Sequence, residues 1–126
     1  MTLTSDATAP AGTVRWFDIC AYGDLIPERG ACAMVDGVQV AVFRTFDGEL
    51  FAVGNHDPFS NAYVISRGIL GCRDGVPTVA SPMFKQVFDL RTGTCLSEPE
   101  VALPTFAIRR DPAGDRVEVA LPDGRS

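Results

Sequence analysis

Ser81-Pro82-Met83-Phe84-Lys85-Gln86-Val87-Phe88-Asp89-Leu90-Arg91-Thr92-Gly93 is the stretch on which the reading of this chain depends. Pro82 sits in a loop, residues 86–90 read as a short strand, and Thr92-Gly93 follows as a turn. Outward from it, Asp36-Gly37, Asp47-Gly48 and Asp74-Gly75 each separate apolar or alternating runs, the strongest short-range sign of tight antiparallel connections. Together these signals predict strands over 14–19, 31–35, 38–45, 49–53, 68–72, 78–80 and 86–90. A last hairpin joins 105–110 to 116–121 through Asp111-Pro112-Ala113-Gly114-Asp115. In the third strand Val38, Val40, Val42 and Arg44 alternate with Gln39, Ala41, Phe43 and Thr45, which predicts cover on both faces. No 11-residue window carries a helical stripe, and nine Pro and twelve Gly spread through the chain disfavour long helices. The expected fold is all-β, an antiparallel β-sandwich or small barrel. The one long irregular segment, 54–67, is of the kind that carries function or descends from something functional.

At 126 residues the chain reads as one domain, long enough to bury a core without staples. Residues 1–12 have neither a basic n-region nor an apolar h-region, so they read as a disordered tail and not a signal peptide. The domain is expected over 13–121, with a short tail at 122–126, and the expected compartment is the cytoplasm. A net charge of −5, without a basic stripe, argues against nucleic acid, because phosphate neutralisation supplies most of that affinity. No apolar run approaches the ~20 residues that span a bilayer, so no membrane partner is expected. Cys20, Cys32, Cys72 and Cys95 are 12, 40 and 23 positions apart, with no Cys-x-x-Cys pair. They read as partly buried thiols acting as small hydrophobes. His56 is the only histidine. Asp57 and Ser60 lie beside it, but without a strand–Gly-x-Ser-x-Gly–helix context it reads as a solvated or hydrogen-bonded group and not a base.

The 81–93 stretch resembles the second cluster-binding loop of a Rieske iron–sulfur domain. That pattern runs Cys-Pro-x-His-Gly, two residues, Phe-Asp, two residues, Thr-Gly. Pro82, Phe88, Asp89, Thr92 and Gly93 keep its frame, while Ser81 and Phe84 stand at the cysteine and histidine positions. Anchoring the first loop on the strand that ends at Gly54 puts Asn55 and Asp57 at the other pair. A Rieske cluster needs two thiolates and two neutral imidazoles, and none of these four residues supplies either. No metal is therefore expected in this chain. His56 and Cys72, with fifteen residues between them like the gap between true ligand pairs, would need Gly54 and Gly75 as partners and would displace Phe88-Asp89 by nine positions.

Further motifs narrow the resemblance. Trp16, Asn55-x-Asp57-Pro58-Phe59, Ser66-Arg67-Gly68, Ala80-Ser81-Pro82 and Lys85-Gln86 are similar to the small subunit of the assimilatory NAD(P)H-dependent nitrite reductase, over nearly the whole chain. The resemblance implies a Rieske-like domain with two loops at the former cluster end. It also implies an accessory chain with no catalytic site or cofactor of its own, bound to a large subunit that holds FAD, a [4Fe–4S] cluster and sirohaem and reduces nitrite to ammonia. The alternatives are a Rieske-type ferredoxin electron carrier and a cluster-free β-sandwich interaction module.

Physically, Asn55 and Asp57 can cap the first loop through Asx-turns. Two arrangements stay open for the second loop. In one, Phe59, Met83 and Phe84 fill the vacated space, Phe84 contributing ~2 kcal/mol of burial. In the other, Met83 and Phe84 stand exposed beside Lys85 as an apolar patch for a partner. His56, Phe59, Met83, Phe84 and Lys85 are the candidate partner-binding residues.

Overall fold

The computed structural model describes residues 14–83 and 85–122. The expected tail at 1–12, residues 123–126 of the expected tail at 122–126, and the position of Phe84 lie outside the described residues. Eleven strands follow in order: β1 Val14–Ala21, β2 Gly30–Val35, β3 Val38–Arg44, β4 Leu50–Gly54, β5 His56–Asp57, β6 Ala62–Tyr63, β7 Ile69–Arg73, β8 Val76–Ala80, β9 Val87–Asp89, β10 Thr105–Arg110 and β11 Arg116–Pro122. They form a six-stranded sheet in the order β1-β11-β10-β4-β3-β2, a three-stranded sheet β9-β8-β7, and the small β5-β6 ribbon. All of these strand pairings are antiparallel. The larger sheet curls until its edge strands β1 and β2 touch.

Local chemistry accounts for the turns. Asp36-Gly37 and Asp74-Gly75 place both residues at positive φ (48° and 82°, 54° and 81°), the conformation whose twist matches two-residue hairpins. These turns set the β2–β3 and β7–β8 registers, pairing Val35 with Val38 and Arg73 with Val76. Strand β3 is covered on both faces as its sequence predicts. Ala41 and Phe43 enter one core with Val53, Ile65, Val79, Phe88, Leu90, Cys95 and Leu103. Val40 and Val42 enter a second with Leu25, Val35, Ala52, Val117, Val119 and Leu121. On the outside, the Arg109 guanidinium lies 3.8 Å over the Trp16 ring and pairs with Glu118 at 2.8 Å.

Three readings need correction. The 54–67 segment is not irregular throughout, since it holds the β5–β6 ribbon and a 3-10 turn at Ile65–Arg67. Two of the four cysteines, Cys32 and Cys72, are exposed, and only Cys95 is buried. The last strand runs through Pro122, one residue past the expected strand 116–121. The Ser66-Arg67-Gly68 turn has a steric origin, because a Cβ on Gly68 would lie 2.5 Å from the Ala80 carbonyl oxygen. Only glycine lets the chain leaving the 3-10 turn pass this close to the end of β8.

Candidate functional site

Strands β4 and β8 end at Gly54 and Ala80, so the next residues of each, Asn55 and Ser81, begin the two loops. All three described positions of the former ligand set are buried: Asn55 at 2%, Asp57 at 0% and Ser81 at 1% exposure. Their side chains do not point into a vacant cage. The Ser81 hydroxyl donates to Asp57 Oδ2 at 2.5 Å, joining the two loops directly. Ser81 Oγ also accepts from the Met83 N–H at 3.2 Å. Asp57 Oδ1 accepts from the Phe59 N–H at 2.9 Å, the expected Asx-turn. Backbone bonds from Lys85 N to Ser81 O and from Ser81 N to Gln86 O close the second loop.

Asn55 does more than cap its own loop. Its Oδ1 accepts from the Ser66 N–H at 2.7 Å, and its Nδ2 donates to Gln39 Oε1 at 3.0 Å and Tyr63 O at 3.2 Å. The Cys32 sulfur is 3.5 Å from the same nitrogen. One amide thus ties β2, β3, β6 and the 3-10 turn together. Of these partners, Gln39 carried a signal in the sequence, as the polar residue in a strand read as covered on both faces. Ser66 stood out only as part of the Ser66-Arg67-Gly68 motif, and Tyr63 carried no signal.

Burial pushes the Asp57 carboxyl up, but the hydrogen bonds from Ser81, the Phe59 N–H and Ser60 outweigh it and hold the group below the usual carboxylate range. A carboxyl lowered on folding contributes stability that is complete above its unfolded value, about 4, and that is lost as the pH falls through the folded value beneath it. The melting temperature is therefore expected to fall below about pH 4, and more steeply in the natural chain than in Asp57→Asn. Parallel melting curves for the two proteins between pH 5 and pH 2.5 would remove Asp57 from this account.

The retained frame also has local causes. Phe88 is fully buried, Asp89 Oδ1 accepts from the Arg91 N–H at 2.7 Å, and the Gly93 N–H donates to Asp89 O at 2.7 Å. Gly93 has φ +80°, and a Cβ there would meet the Leu103 carbonyl oxygen at 2.0 Å. Phe-Asp-x-x-Thr-Gly is held here by its own packing and hydrogen bonds.

The candidate partner-binding residues separate. Met83, at 49% exposure, and Lys85 are exposed. His56 is half-buried, its Nε2 2.6 Å from Asn61 Oδ1 and its ring 5.0 Å from that of Tyr63. Phe59 is half-buried and packs on the core, 6.1 Å from the Phe88 ring. A cleft of 410 Å³ opens beside the first loop, walled by Met34, Gln39, His56, Pro58 and Tyr63. Met34 and Tyr63 are exposed there and escaped the sequence reading. His56 and Cys72 line different clefts.

A [2Fe–2S] cluster does not fit these residues. Asn55, Asp57 and Ser81 offer neither thiolate nor imidazole, and Asp57 and Ser81 are hydrogen-bonded to each other. Among the described residues no group of three His, Cys, Asp or Glu side chains could hold a metal ion, and no helix is long and apolar enough to cross a membrane.

Residues 15–120 match the model of the Rieske-like [2Fe-2S] domain. A crystal structure assigned to the NADH-dependent nitrite reductase small subunit of Mycobacterium tuberculosis is 50% identical, with a TM-score of 0.83 over 86% of this chain and 96% of that one. The nitrite reductase (NADH) small subunit of Escherichia coli (strain K12) is 38% identical over 96 residues, 75% of this chain and 89% of its own length. A segment of the nitrite reductase [NAD(P)H] large subunit of Klebsiella oxytoca is 35% identical over 94 residues, 75% of this chain and 10% of that one.

Proposed function

This chain belongs to the Rieske-like [2Fe-2S] domain family and, within it, to the nitrite reductase small subunits; from that premise we propose a non-catalytic accessory subunit of the NAD(P)H-dependent assimilatory enzyme that reduces nitrite to ammonia. The observation that carries this reading is the buried Asp57–Ser81 hydrogen bond, which stands where an electron carrier would hold its cluster. It favours a scaffold that binds a partner over a ferredoxin that passes electrons. The partner is the large subunit. The match to a large chain that contains a segment similar to this one supports that choice, since a domain built into a polypeptide acts in contact with it. FAD, the [4Fe–4S] cluster and sirohaem are proposed to reside on the large subunit, and the cytoplasm is the proposed compartment.

The proposed docking face is the loop end, where exposed Met83 and Lys85, half-buried His56 and the 410 Å³ cleft with Met34 and Tyr63 offer apolar area beside a cation. Aromatic and methionine side chains with a polar rim are the usual make-up of a protein interface. Phe59, packed inward, shapes this face from beneath.

The test is nitrite reduction by the purified large subunit with and without this chain, paired with a binding measurement. The complex is expected to form and to alter turnover. Met83→Asp with Lys85→Glu is expected to weaken binding about tenfold while leaving the melting temperature within a few degrees, as exposed positions allow. Full activity of a large subunit that never binds this chain would sink the proposal. Iron and acid-labile sulfide in the purified chain would favour the ferredoxin reading.

A further inference from the structure

At the end of the domain away from the two loops, β4 and β8 begin beside a second, open cleft of 490 Å³. Its lining includes Leu70 on β7, Pro77 on β8, and Leu90 just after β9. Phe46, at the tip of the β3–β4 hairpin, stands at its rim with 87% of its surface exposed. That is a large apolar surface to leave in water on a chain that buries Phe43 and Phe88 completely. The Phe46 N–H is tied to Glu28 Oε2 at 2.5 Å, which fixes the hairpin tip against the strand-free segment before β2. The backbone at the rim is therefore anchored beneath an exposed ring.

Charge selects the occupant. Glu28, Asp47 and Glu49 surround the cleft and are exposed, with Arg91 the one cation among the lining residues. None of the three carboxylates takes part in either salt bridge found among the described residues. A surface of this kind fits a segment that brings a basic side chain to the acidic rim and an apolar one against Phe46 and Leu70.

We propose that this cleft is a second docking surface for the large subunit, taking a segment that pairs an apolar residue with Lys or Arg. The inference rests on the large subunit being the partner. It goes further in assigning two contact faces at opposite ends of the domain, so that the small subunit spans two parts of its partner and does not cap one.

The experiment measures binding of the purified large subunit to the full chain by calorimetry across a salt series. The variants are Phe46→Ser, Asp47→Lys with Glu49→Lys, and the loop-end pair Met83→Asp with Lys85→Glu. Phe46→Ser is expected to weaken binding at least tenfold. The rim reversal is expected to weaken it most at low salt and to flatten its salt dependence, because a complementary charge pair is screened. All three positions at the cleft are exposed, and unchanged melting curves check that the variants remain folded. Wild-type affinity in both cleft variants, with the loop-end pair impaired, would overturn the second surface while sparing the partnership. No binding by the natural chain would remove the partnership and this proposal with it. If sedimentation instead shows a dimer of this chain that Phe46→Ser dissolves, the cleft belongs to a second copy and the proposal falls.

Discussion

Replacing Asp57 with alanine is expected to lower the stability of the fold by about 2–4 kcal/mol, the range for removing a charged acceptor from buried donors. Asp57 has no exposed surface, and both of its oxygens are engaged by donors from the two loops. Alanine would leave the Ser81 hydroxyl and the Phe59 N–H without this acceptor, and water has no ready route to a position so enclosed. It would also unfasten the loops, since 24 residues separate Asp57 from Ser81 and the side-chain bond joins them directly. Urea unfolding at pH 7 measures the loss as a shifted midpoint. A double-mutant cycle with Ser81→Ala isolates the pair, and a coupling on the order of 1 kcal/mol or more is expected for residues in direct contact. Strict additivity would show that the bond contributes nothing beyond its separate ends.

Gly93→Ala is expected to be at least as damaging, about 3 kcal/mol or more. Two effects add there. A non-glycine residue at φ +80° carries a backbone strain of about 1–2 kcal/mol. The new methyl would also be driven to 2.0 Å from the Leu103 carbonyl oxygen, far inside van der Waals contact. Relief requires moving the backbone, and Leu103 is fixed because its N–H donates to Gly93 O at 2.8 Å. The effect should appear as poor expression or a melting temperature lowered by more than ten degrees. Gly37→Ala serves as the control, since φ is similar there but nothing lies within 4 Å of the added carbon. Equal losses in the two variants would mean that strain alone, and not the close approach, explains the glycine.

Much of the fold was legible because its turns are local. Asp36-Gly37 and Asp74-Gly75 announce their hairpins in two residues each, and the strands they join were placed within one or two positions. The β5–β6 ribbon was not legible, because two-residue strands have no periodicity and Pro58 between them reads as loop. The cysteines were misjudged for a related reason. Cys32 and Cys72 lie on β2 and β7, edge strands that show apolar residues to solvent, and a small apolar side chain carries no mark of which face it occupies. At the site, the lost ligand chemistry could be read one residue at a time, but the union of Asp57 with Ser81 could not. It depends on two loops meeting in space, as does the reach of Asn55 from its own loop to Gln39 and Ser66. Phe46 fell in the turn between the expected strands 38–45 and 49–53, and nothing in its sequence setting announced how far it stands into solvent.

A clasp made from a serine hydroxyl and a carboxylate closes when the chain folds and asks for nothing else. Domains held by metal must wait for loading and lose their form when the ion is stripped or oxidised. The Ser81–Asp57 bond itself needs no iron to form, only the meeting of the two loops. A large subunit that carries the proposed cofactors would have its own slow assembly to complete. A companion subunit fastened only by protons could be finished and waiting before that assembly ends.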